Sequence, residues 1–368
     1  MRMAVSTEVP LDPSDVRATI PQTSREAARI LPLALFLFTS SLYAVSWAAI
    51  FRVPWPARIP LSLLNGLLVG VLFVVGHDAC HGAFTSARWL NEVVGRLAFL
   101  PSVHPFSFWE LGHNRLHHGW ANLKGKDYVW APLSKEEFDA LAPARRLVER
   151  AGRTFFGVAL HYAVVIWWSH MAFPSIEDRS RVGRWVGRLD RLSVLAFAVA
   201  QAIIAFELEG AGAFAHRLAS AAFFGCFLPF ITFNWLAGFL TFMHHTHERV
   251  RWYDRREDWS FVRGALFGTV HVIFPRAIDL GLYNIMFHTA HHVDTRVPLY
   301  RLPGAQRAIE AAHEDGVIRY RFALGPVLAI FRGCKLYDYR SHRWLDFAGH
   351  PTTPTQGVEP QISERRAR

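Results

Sequence analysis

The chain has little cysteine and little charge. Its 368 residues include three cysteines, Cys80, Cys226 and Cys334, which are far apart and form no Cys-x-x-Cys pair. This pattern excludes a disulfide framework and a thiolate metal site. Charged residues make up 19% of the chain and hydrophobic residues 51%. That balance is unusual for a soluble enzyme and indicates an integral membrane protein.

The beginning of the chain has no apolar core. Residues 1–30 are polar and mixed in charge, and the first apolar run begins only at Leu31. A cleavable signal peptide is therefore not expected, and we predict a flexible cytoplasmic tail that ends in a short helical approach through Arg25 and Arg29. The net charge of +10 lies mostly between apolar runs and comes with no nucleic-acid motif. It predicts contact with anionic membrane lipids and no nucleic-acid partner.

Four apolar runs have about the length needed to cross a bilayer. The predicted spans are residues 31–51, 59–76, 192–206 and 218–243. The links at 52–58 and 207–217 hold three Lys or Arg in all, whereas most other basic residues lie outside the paired runs. The positive-inside rule then places the N-terminal tail, the 82–191 segment and the C-terminal section 248–368 in the cytoplasm. We predict an all-α protein of the inner (cytoplasmic) membrane, with four transmembrane helices in two hairpins and a cytoplasmic helical cap.

A fifth apolar stretch, residues 155–173, contains His161 and His170. We predict an interfacial or partly buried helix there, because a crossing would carry the next segment to the other side of the membrane. Its two lone histidines are expected to be core or interfacial residues and not ligands. The main domain is predicted to cover residues 31–346, followed by a flexible C-terminal tail at 347–368.

Histidine is concentrated in a few places. Eleven of the 19 histidines lie in four short boxes, of which box four precedes box three in the chain. They are His77 and His81 (box one), His113, His117 and His118 (box two), His288, His291 and His292 (box three), and His244, His245 and His247 (box four). Neutral imidazole is the commonest side-chain ligand for transition metals, so this concentration predicts a metal site on the cytoplasmic side.

The spacing indicates more than one ion. His77 and His81 lie at i and i+4, as do His113 and His117, so each pair is expected to reach one metal from one helical face, with His118 directed to a neighbouring ion. A zinc ion needs about four ligands. Eight or nine histidines therefore suit two ions with open positions, and nitrogen ligation for a redox purpose indicates iron.

Asp78 directly follows the first histidine of box one. A zinc protease would carry a Glu base at this position. We predict instead that Asp78 accepts a hydrogen bond from a ligating histidine and orients it. A zinc-dependent membrane hydrolase and a non-enzymatic metal or haem carrier remain alternatives to a redox enzyme at this point.

Boxes one to three resemble the histidine boxes of the membrane fatty acid desaturases in order, in spacing and in their place after an apolar hairpin. The matching segments are Gly76-His77-Asp78-Ala79-Cys80-His81, His113-Asn114-Arg115-Leu116-His117-His118 and His288-Thr289-Ala290-His291-His292. The resemblance runs from about Leu31 to Asp346 and is closest to the acyl-lipid omega-6 (delta-12 type) subgroup. Further matches are Asp127, His244-His245-Thr246, Trp259, Gly268-Thr269-Val270-His271 and Val297-Pro298-Leu299-Tyr300.

This resemblance implies a non-haem di-iron centre with nine histidine ligands. They are His77, His81, His113, His117, His118, His245, His288, His291 and His292. His245 is the member of box four that best fits the family pattern, with His244 and His247 as alternatives. Cys80 stands where many relatives have Gly, and Met286 where some have Asn or Asp, so Asn284 is expected to supply that polar contact.

The resemblance also implies an oxidoreductase that uses dioxygen and two electrons to form a double bond in a fatty acyl chain. The acyl chain would be attached to a membrane lipid, to a thioester or to acyl carrier protein. A separate carrier such as ferredoxin would deliver the electrons. Trp, Phe and Leu side chains of the second and fourth spans are expected to wall an apolar channel. A hydroxylase, an acetylenase or a carotenoid oxygenase on the same scaffold is the nearest alternative.

Overall fold

The computed structural model describes residues 11–355. The ends of the two predicted tails, at 1–10 and 356–368, lie outside the described residues. Helix α1 (Pro13–Ala18) begins after Asp12, whose carboxylate accepts a hydrogen bond from the Ser14 N–H at 2.7 Å, as an N-cap residue does. A 3-10 turn follows at Gln22–Arg25.

The segment that follows Asp12 is bound to the rest of the protein and does not form a flexible tail. Arg25 Nε donates to Asp294 Oδ2 at 2.8 Å, and Arg17 Nε donates to the Val293 carbonyl at 2.9 Å. Burial opposes ionisation of Asp294, but hydrogen bonds from Arg296 and Arg25 outweigh it and lower its pKa to about 2. Because the folded-state pKa is below the usual value, this stabilisation is complete above about pH 4 and is lost as the pH falls further.

The first two predicted spans correspond to α2 (Leu31–Ile50) and α3 (Trp55–Cys80), which pack against each other. Helix α3 begins four residues before the predicted span and continues four residues beyond it. Hydropathy falls at the polar residues of box one, but the helical hydrogen bonds run on through them. The first box therefore lies on the last turn of a membrane-length helix.

Short helices connect the first pair of long helices to the second. They are α4 (Arg88–Phe99), α5 (Phe106–Glu110), a π-helical segment (Leu111–His117), α6 (His118–Trp120), α7 (Lys135–Ala140), α8 (Pro143–Gly152), α9 (Val158–His161), a second π-helical segment (Tyr162–Ala172) and α10 (Ile176–Arg181). The apolar stretch predicted at 155–173 forms α9 and the π-helical segment after it, which have 4 and 11 residues. They extend about 22 Å at most, less than the ~30 Å of bilayer hydrocarbon.

The second pair of long helices consists of α11 (Arg184–Leu208) and a continuous helical segment over 214–245. That segment comprises α12 (Phe214–Ser220), a π-helical part (Ala221–Phe227) and α13 (Leu228–His245). Helix α11 begins eight residues before its predicted span, so Arg184, Arg188 and Arg191 lie on its first turns. Long basic side chains tolerate this place because they keep the charge in water.

The four long helices form an inner and an outer pair. In each helix we compare the most apolar 18 residues. Of these, 56% are buried in α3 and 50% in the segment ending with α13, but only 11% in α2 and 17% in α11. Helices α3 and α13 pack closely. A Cβ at Gly66 would lie 2.5 Å from the Pro229 carbonyl oxygen, so this contact requires glycine. The long apolar helices make the chain an integral membrane protein, with α2 and α11 on the outside.

The remainder mixes short helices with two small sheets. The elements are a 3-10 turn (Arg256–Asp258), α14 (Phe261–Ala265), β1 (Val270–Ile273), α15 (Arg276–Gly281), α16 (His288–Val293), α17 (Leu302–Ala312), β2 (Ile318–Arg321), α18 (Leu324–Gly333), β3 (Leu336–Asp338) and β4 (Arg343–Leu345). Strand β1 pairs in parallel with β2, with Val270 opposite Ile318, and β3 pairs antiparallel with β4. The chain is therefore mostly helical and not all-α. The strands are too short for their period to show in the sequence.

The predicted C-terminal tail is in contact with β4 at its start. The Thr352 N–H donates to the Trp344 carbonyl at 2.9 Å, and Thr353 Oγ1 accepts from the Trp344 N–H at 3.0 Å. Residues 347–355 thus belong to the folded part.

Replacing Arg25 by alanine is expected to release the segment that precedes α2. The ion pair with Asp294 is largely shielded, with 14% and 2% of the two side chains exposed. Losing it should cost about 1–3 kcal/mol, because Asp294 then keeps, within residues 11–355, only Arg296 as an ion-pair partner. Limited proteolysis should cleave the segment faster in Arg25→Ala. The exposed Arg29→Ala is the control, and equal cleavage of both variants would contradict the docking.

Candidate metal centre

Four chain segments bring their histidines to one place. His77 lies on the last turn of α3 with His81 directly after it, and His245 ends α13. Box two occupies the π-helical segment and the start of α6, and box three lies on α16. Eight of the nine predicted ligands are buried, and His81 is partly buried. Long membrane helices therefore position boxes one and four, and short helices position the other two.

The nine histidines form two groups, which we call site A and site B. Within each group, one ring nitrogen per residue lies within 4.8 Å of the nitrogens of all the others. Site A consists of His77, His81, His113, His118 and His291. Site B consists of His117, His245, His288 and His292.

The π-helical segment decides how box two is divided. The i, i+4 spacing predicts that His113 and His117 share an ion, but this pairing is wrong. Hydrogen bonds in a π-helix run from i to i+5, so residues five apart come to lie on the same face. His113 and His118 therefore share site A, and His117 turns to site B. A standard α-helical spacing rule does not anticipate this division.

The spacing of the ring nitrogens suits a metal ion. His118 Nε2 lies 3.0 Å from His113 Nε2 and 3.2 Å from His291 Nε2, and His245 Nε2 lies 3.0 Å from His288 Nε2. With metal–nitrogen bonds of about 2.1 Å, two ligands at a right angle would be about 3.0 Å apart. Hydrogen bonds among three converging ring nitrogens cannot give each of them a partner, whereas one cation could be coordinated by all three.

The protonation state also fits metal binding. Burial is the main cause that lowers the pKa of His113, His118, His288, His291 and His292 well below the usual value, and the neighbouring histidines lower it further. These imidazoles are therefore neutral at physiological pH, which is the form that binds metals.

Asp127 holds one of the site B histidines. Its Oδ1 lies 3.0 Å from His117 Nδ1 and accepts the Val129 N–H at 2.9 Å, while Oδ2 accepts the Asn122 N–H at 3.0 Å. A carboxylate in this position directs the other ring nitrogen toward a metal. Sequence reasoning noted Asp127 only as a match to the family pattern. The distance of ten residues from His117 gave no sign of the contact.

Asp78 and Asn284, the two polar residues predicted to support the ligands, both contact the backbone of Leu299. Asp78 Oδ2 accepts the Leu299 N–H at 3.4 Å, and Asn284 Nδ2 donates to the Leu299 carbonyl at 3.2 Å. Asp78 is thus placed against the backbone that follows box three, and the predicted hydrogen bond to a ligating histidine is not formed among residues 11–355. Asn284 contacts the same backbone.

The other histidines of interest lie outside the two sites. His244 stacks on His288 with ring centroids 3.6 Å apart, and His247 lies 5.4 Å from the Tyr320 ring. His161 stacks on Trp130 and His170 on Tyr128, each at 3.9 Å between centroids. All four lie outside the groups that could hold a metal.

An apolar cavity adjoins both sites. The inner helices supply Phe73, Phe233, Leu236 and Leu240 to its wall, and Trp109, Tyr162, Ile166 and Ile285 complete it. At the metal end it is lined by His77, His113, His117, His244, His245 and His288. The predicted Phe, Leu and Trp side chains thus surround a space that ends at both histidine groups.

Comparison with known proteins identifies the family of this chain. The family model described as "Fatty acid desaturase" matches residues 53–324. The chain belongs to this family. The match covers all four boxes, both inner helices and the apolar cavity.

Several curated desaturases are similar over most of the chain. A protein of Picosynechococcus sp. named sn-1 oleoyl-lipid 12-desaturase is 27% identical, over 91% of this chain and 92% of its own length. A Synechocystis sp. protein of the same name is 29% identical over 88% of both chains. The chloroplastic omega-6 fatty acid desaturase of Brassica napus is 27% identical over 80% of this chain and 63% of its own length.

These similarities establish the enzyme class. This desaturase is an oxidoreductase of lipid metabolism that introduces a carbon–carbon double bond into fatty acyl chains. Its histidine cluster is of a kind that holds metal. Membership of this family therefore excludes the two alternatives to a redox enzyme, the zinc hydrolase and the non-enzymatic carrier.

Replacing Asp127 by asparagine should weaken metal binding at site B. Loss of a carboxylate behind a ligating histidine typically costs about 10–100-fold in metal affinity. Metal content per chain, measured after dialysis against a chelator, should fall in Asp127→Asn. His161→Ala is the matched control because its ring is buried outside both sites, and its metal content should equal that of the unmodified protein. Unchanged metal retention in Asp127→Asn would contradict the role of Asp127.

Proposed function

We propose that sites A and B each hold one iron ion. The nine ligands would be His77, His81, His113, His118 and His291 in site A, and His117, His245, His288 and His292 in site B. The proposal is supported above all by the convergence of nine imidazoles, eight of them buried, on two points beside an apolar cavity. Nitrogen ligands and an oxidative reaction suit iron. Bound iron would supply the reduction of dioxygen and the removal of hydrogen from the acyl chain.

The protein residues hold the ligating rings in position and keep water out of the cavity. Asp127 fixes the His117 ring and keeps its other nitrogen directed at site B. Trp109 stacks on His113 with centroids 4.9 Å apart and so limits the movement of a site A ligand. The cavity wall is almost entirely apolar and excludes water from the space that adjoins both sites. A methylene chain offers no hydrogen-bonding group, so the shape of such a cavity would select which carbons lie beside the metals.

We infer that the substrate is an acyl chain carried by a membrane lipid. The relatives with the fullest coverage are named for an oleoyl-lipid and for position 12, which favours a monounsaturated chain and a second double bond at that position. A thioester of coenzyme A or acyl carrier protein has less support. Electrons would come from a separate soluble carrier such as ferredoxin.

The proposed topology follows from charge. With both links between paired spans poor in Lys and Arg, the long helices would form two hairpins whose polar ends face the cytoplasm. The short helices 88–181 and the segment after α13 would then form a cytoplasmic cap around the boxes.

Metal and product analysis together test this proposal. The purified protein should contain two iron ions per chain and, with dioxygen and reduced ferredoxin, should convert oleoyl-lipid to a product lighter by two hydrogens. Mass spectrometry separates this product from a hydroxylated one, which gains oxygen. One zinc per chain with no need for dioxygen or reductant would refute the proposal.

Filling the cavity should reduce turnover without disturbing the metals. Ala237 is buried and lines the cavity, so Ala237→Leu places extra carbons in the space meant for the substrate. Turnover of oleoyl-lipid should fall by about tenfold or more, since one methylene in a tight apolar pocket changes the transition-state energy by about 1–3 kcal/mol. Iron content should not change.

The matched control is Ala200→Leu, because Ala200 is exposed on α11. It should leave turnover unchanged. If both alanine variants retain full turnover, the cavity is not the path of the acyl chain.

A further inference from the structure

A basic pocket lies beside α15 and α17. Three arginines line it, Arg276 at the start of α15 and Arg301 and Arg307 on α17 and its N-cap. Thr23, Ser24 and Tyr300 line the same space. Helix α17 begins at this pocket, so the positive end of its dipole adds to the charge. The pocket therefore offers charged donors to an anion.

The positive charge of this pocket is only partly compensated. Arg301 and Arg307 have no carboxylate partner among residues 11–355, and Arg276 donates to the uncharged Asn284 Oδ1 at 3.1 Å. Asp279 is the acidic residue in the pocket, and burial raises the pKa of its carboxyl group. By contrast, the basic pocket around Arg255 contains Asp258, which pairs with it at 2.6 Å. The first pocket thus has positive charge available for a ligand.

Exposed apolar side chains lie next to this pocket on α15. On α15, next to Arg276, the side chains of Ile278 and Leu280 are 43% and 49% exposed. Two residues beyond α15, the Tyr283 hydroxyl lies 2.6 Å from Thr39 Oγ1 on the outer membrane helix α2. Exposed apolar side chains beside an arginine, on a segment that also contacts a membrane-length helix, are typical of the membrane interface.

One short loop separates this pocket from the acyl cavity. Ile285 lines the apolar cavity, and Phe287 lines the basic pocket. Tyr283 and Asn284 hold the loop in left-handed conformations, with φ of 51° and 61°. A non-glycine residue pays for such a conformation in energy, and the bonds of Tyr283 to Thr39 and of Asn284 to Leu299 maintain it.

We propose that the pocket of Arg276, Arg301 and Arg307 binds the phosphate group of a membrane phospholipid, with the acyl chain of that lipid passing the 283–287 loop into the apolar cavity. The link to the cavity rests on the proposed function, but phosphate binding does not. Guanidinium groups match phosphate oxygens in geometry and charge. An arginine cluster in water would attract many anions, whereas one beside exposed apolar side chains selects an anion attached to an acyl chain.

Lipid selection by the purified protein tests this inference. The protein in mixed micelles of dioleoylphosphatidylglycerol and dioleoylgalactosylglycerol, without electron donor, should retain the phospholipid preferentially, as measured by mass spectrometry of the bound lipid. R301E/R307E should lower this preference by about tenfold, since each basic residue near a lipid surface contributes about 1 kcal/mol. R301K/R307K should keep most of it, because the positive charges remain.

The matched control is R184E/R188E, which makes the same change of charge at two exposed arginines on the first turns of α11. It should keep the preference for phospholipid. Equal losses in the two glutamate variants would mean that net charge attracts the lipid, and an unchanged preference in R301E/R307E would mean that the pocket does not bind it. Either result overturns the inference, as does full displacement of the lipid by millimolar inorganic phosphate.

Two further measurements separate this inference from the proposed function. If the unmodified protein selects phosphatidylglycerol through Arg301 and Arg307 but desaturates no oleoyl-lipid, the proposed substrate is wrong and phosphate binding stands. If instead R301E/R307E loses turnover of oleoyl-coenzyme A but keeps its lipid selection, the pocket serves a thioester and the phospholipid assignment is wrong. Gel filtration and metal content matching the unmodified protein would establish that each variant is folded.

Discussion

The structure depends on keeping nine imidazoles largely out of water with their nitrogens directed at two points. Several of these nitrogens have no hydrogen-bond partner among residues 11–355, including His77 Nδ1, His118 Nδ1 and both nitrogens of His292. An unsatisfied buried polar group costs about 1–3 kcal/mol. Such an arrangement is stable only if the surrounding elements are rigid and if metal binding offsets the cost. Both requirements explain why membrane-length helices carry two of the boxes.

The inner helices α3 and α13 serve two purposes. Their apolar faces form the wall of the cavity, and their ends carry box one and box four. The outer helices α2 and α11 leave most of their surface unburied, as expected for a lipid-facing position. Cavity and metal ligands are therefore built on the same two helices, so that a change in their packing would move both together. The close contact at Gly66 limits such movement.

Much of this architecture could be predicted from composition and spacing. Hydropathy located all four long helices, because the need to satisfy the backbone inside a bilayer leaves a strong local signal. The histidine boxes identified the nine residues that gather at the two sites, because ligands on one helix turn must recur at short intervals. The signal failed at the helix ends, where α3 and α11 extend into polar sequence, and at the small sheets, whose three- or four-residue strands leave no period.

By itself, the sequence determined which helices have membrane length and which histidines are candidates for metal binding, since both depend on residues close together in the chain. Tertiary structure alone decided how those histidines divide between two sites, because a π-helical segment moved His117 away from His113. It also decided that Asp127 supports His117 while Asp78 holds the backbone at Leu299. The basic pocket joins residues from the N-terminal segment, α15 and α17. Contacts between groups so far apart in the chain follow from packing, which no local pattern records.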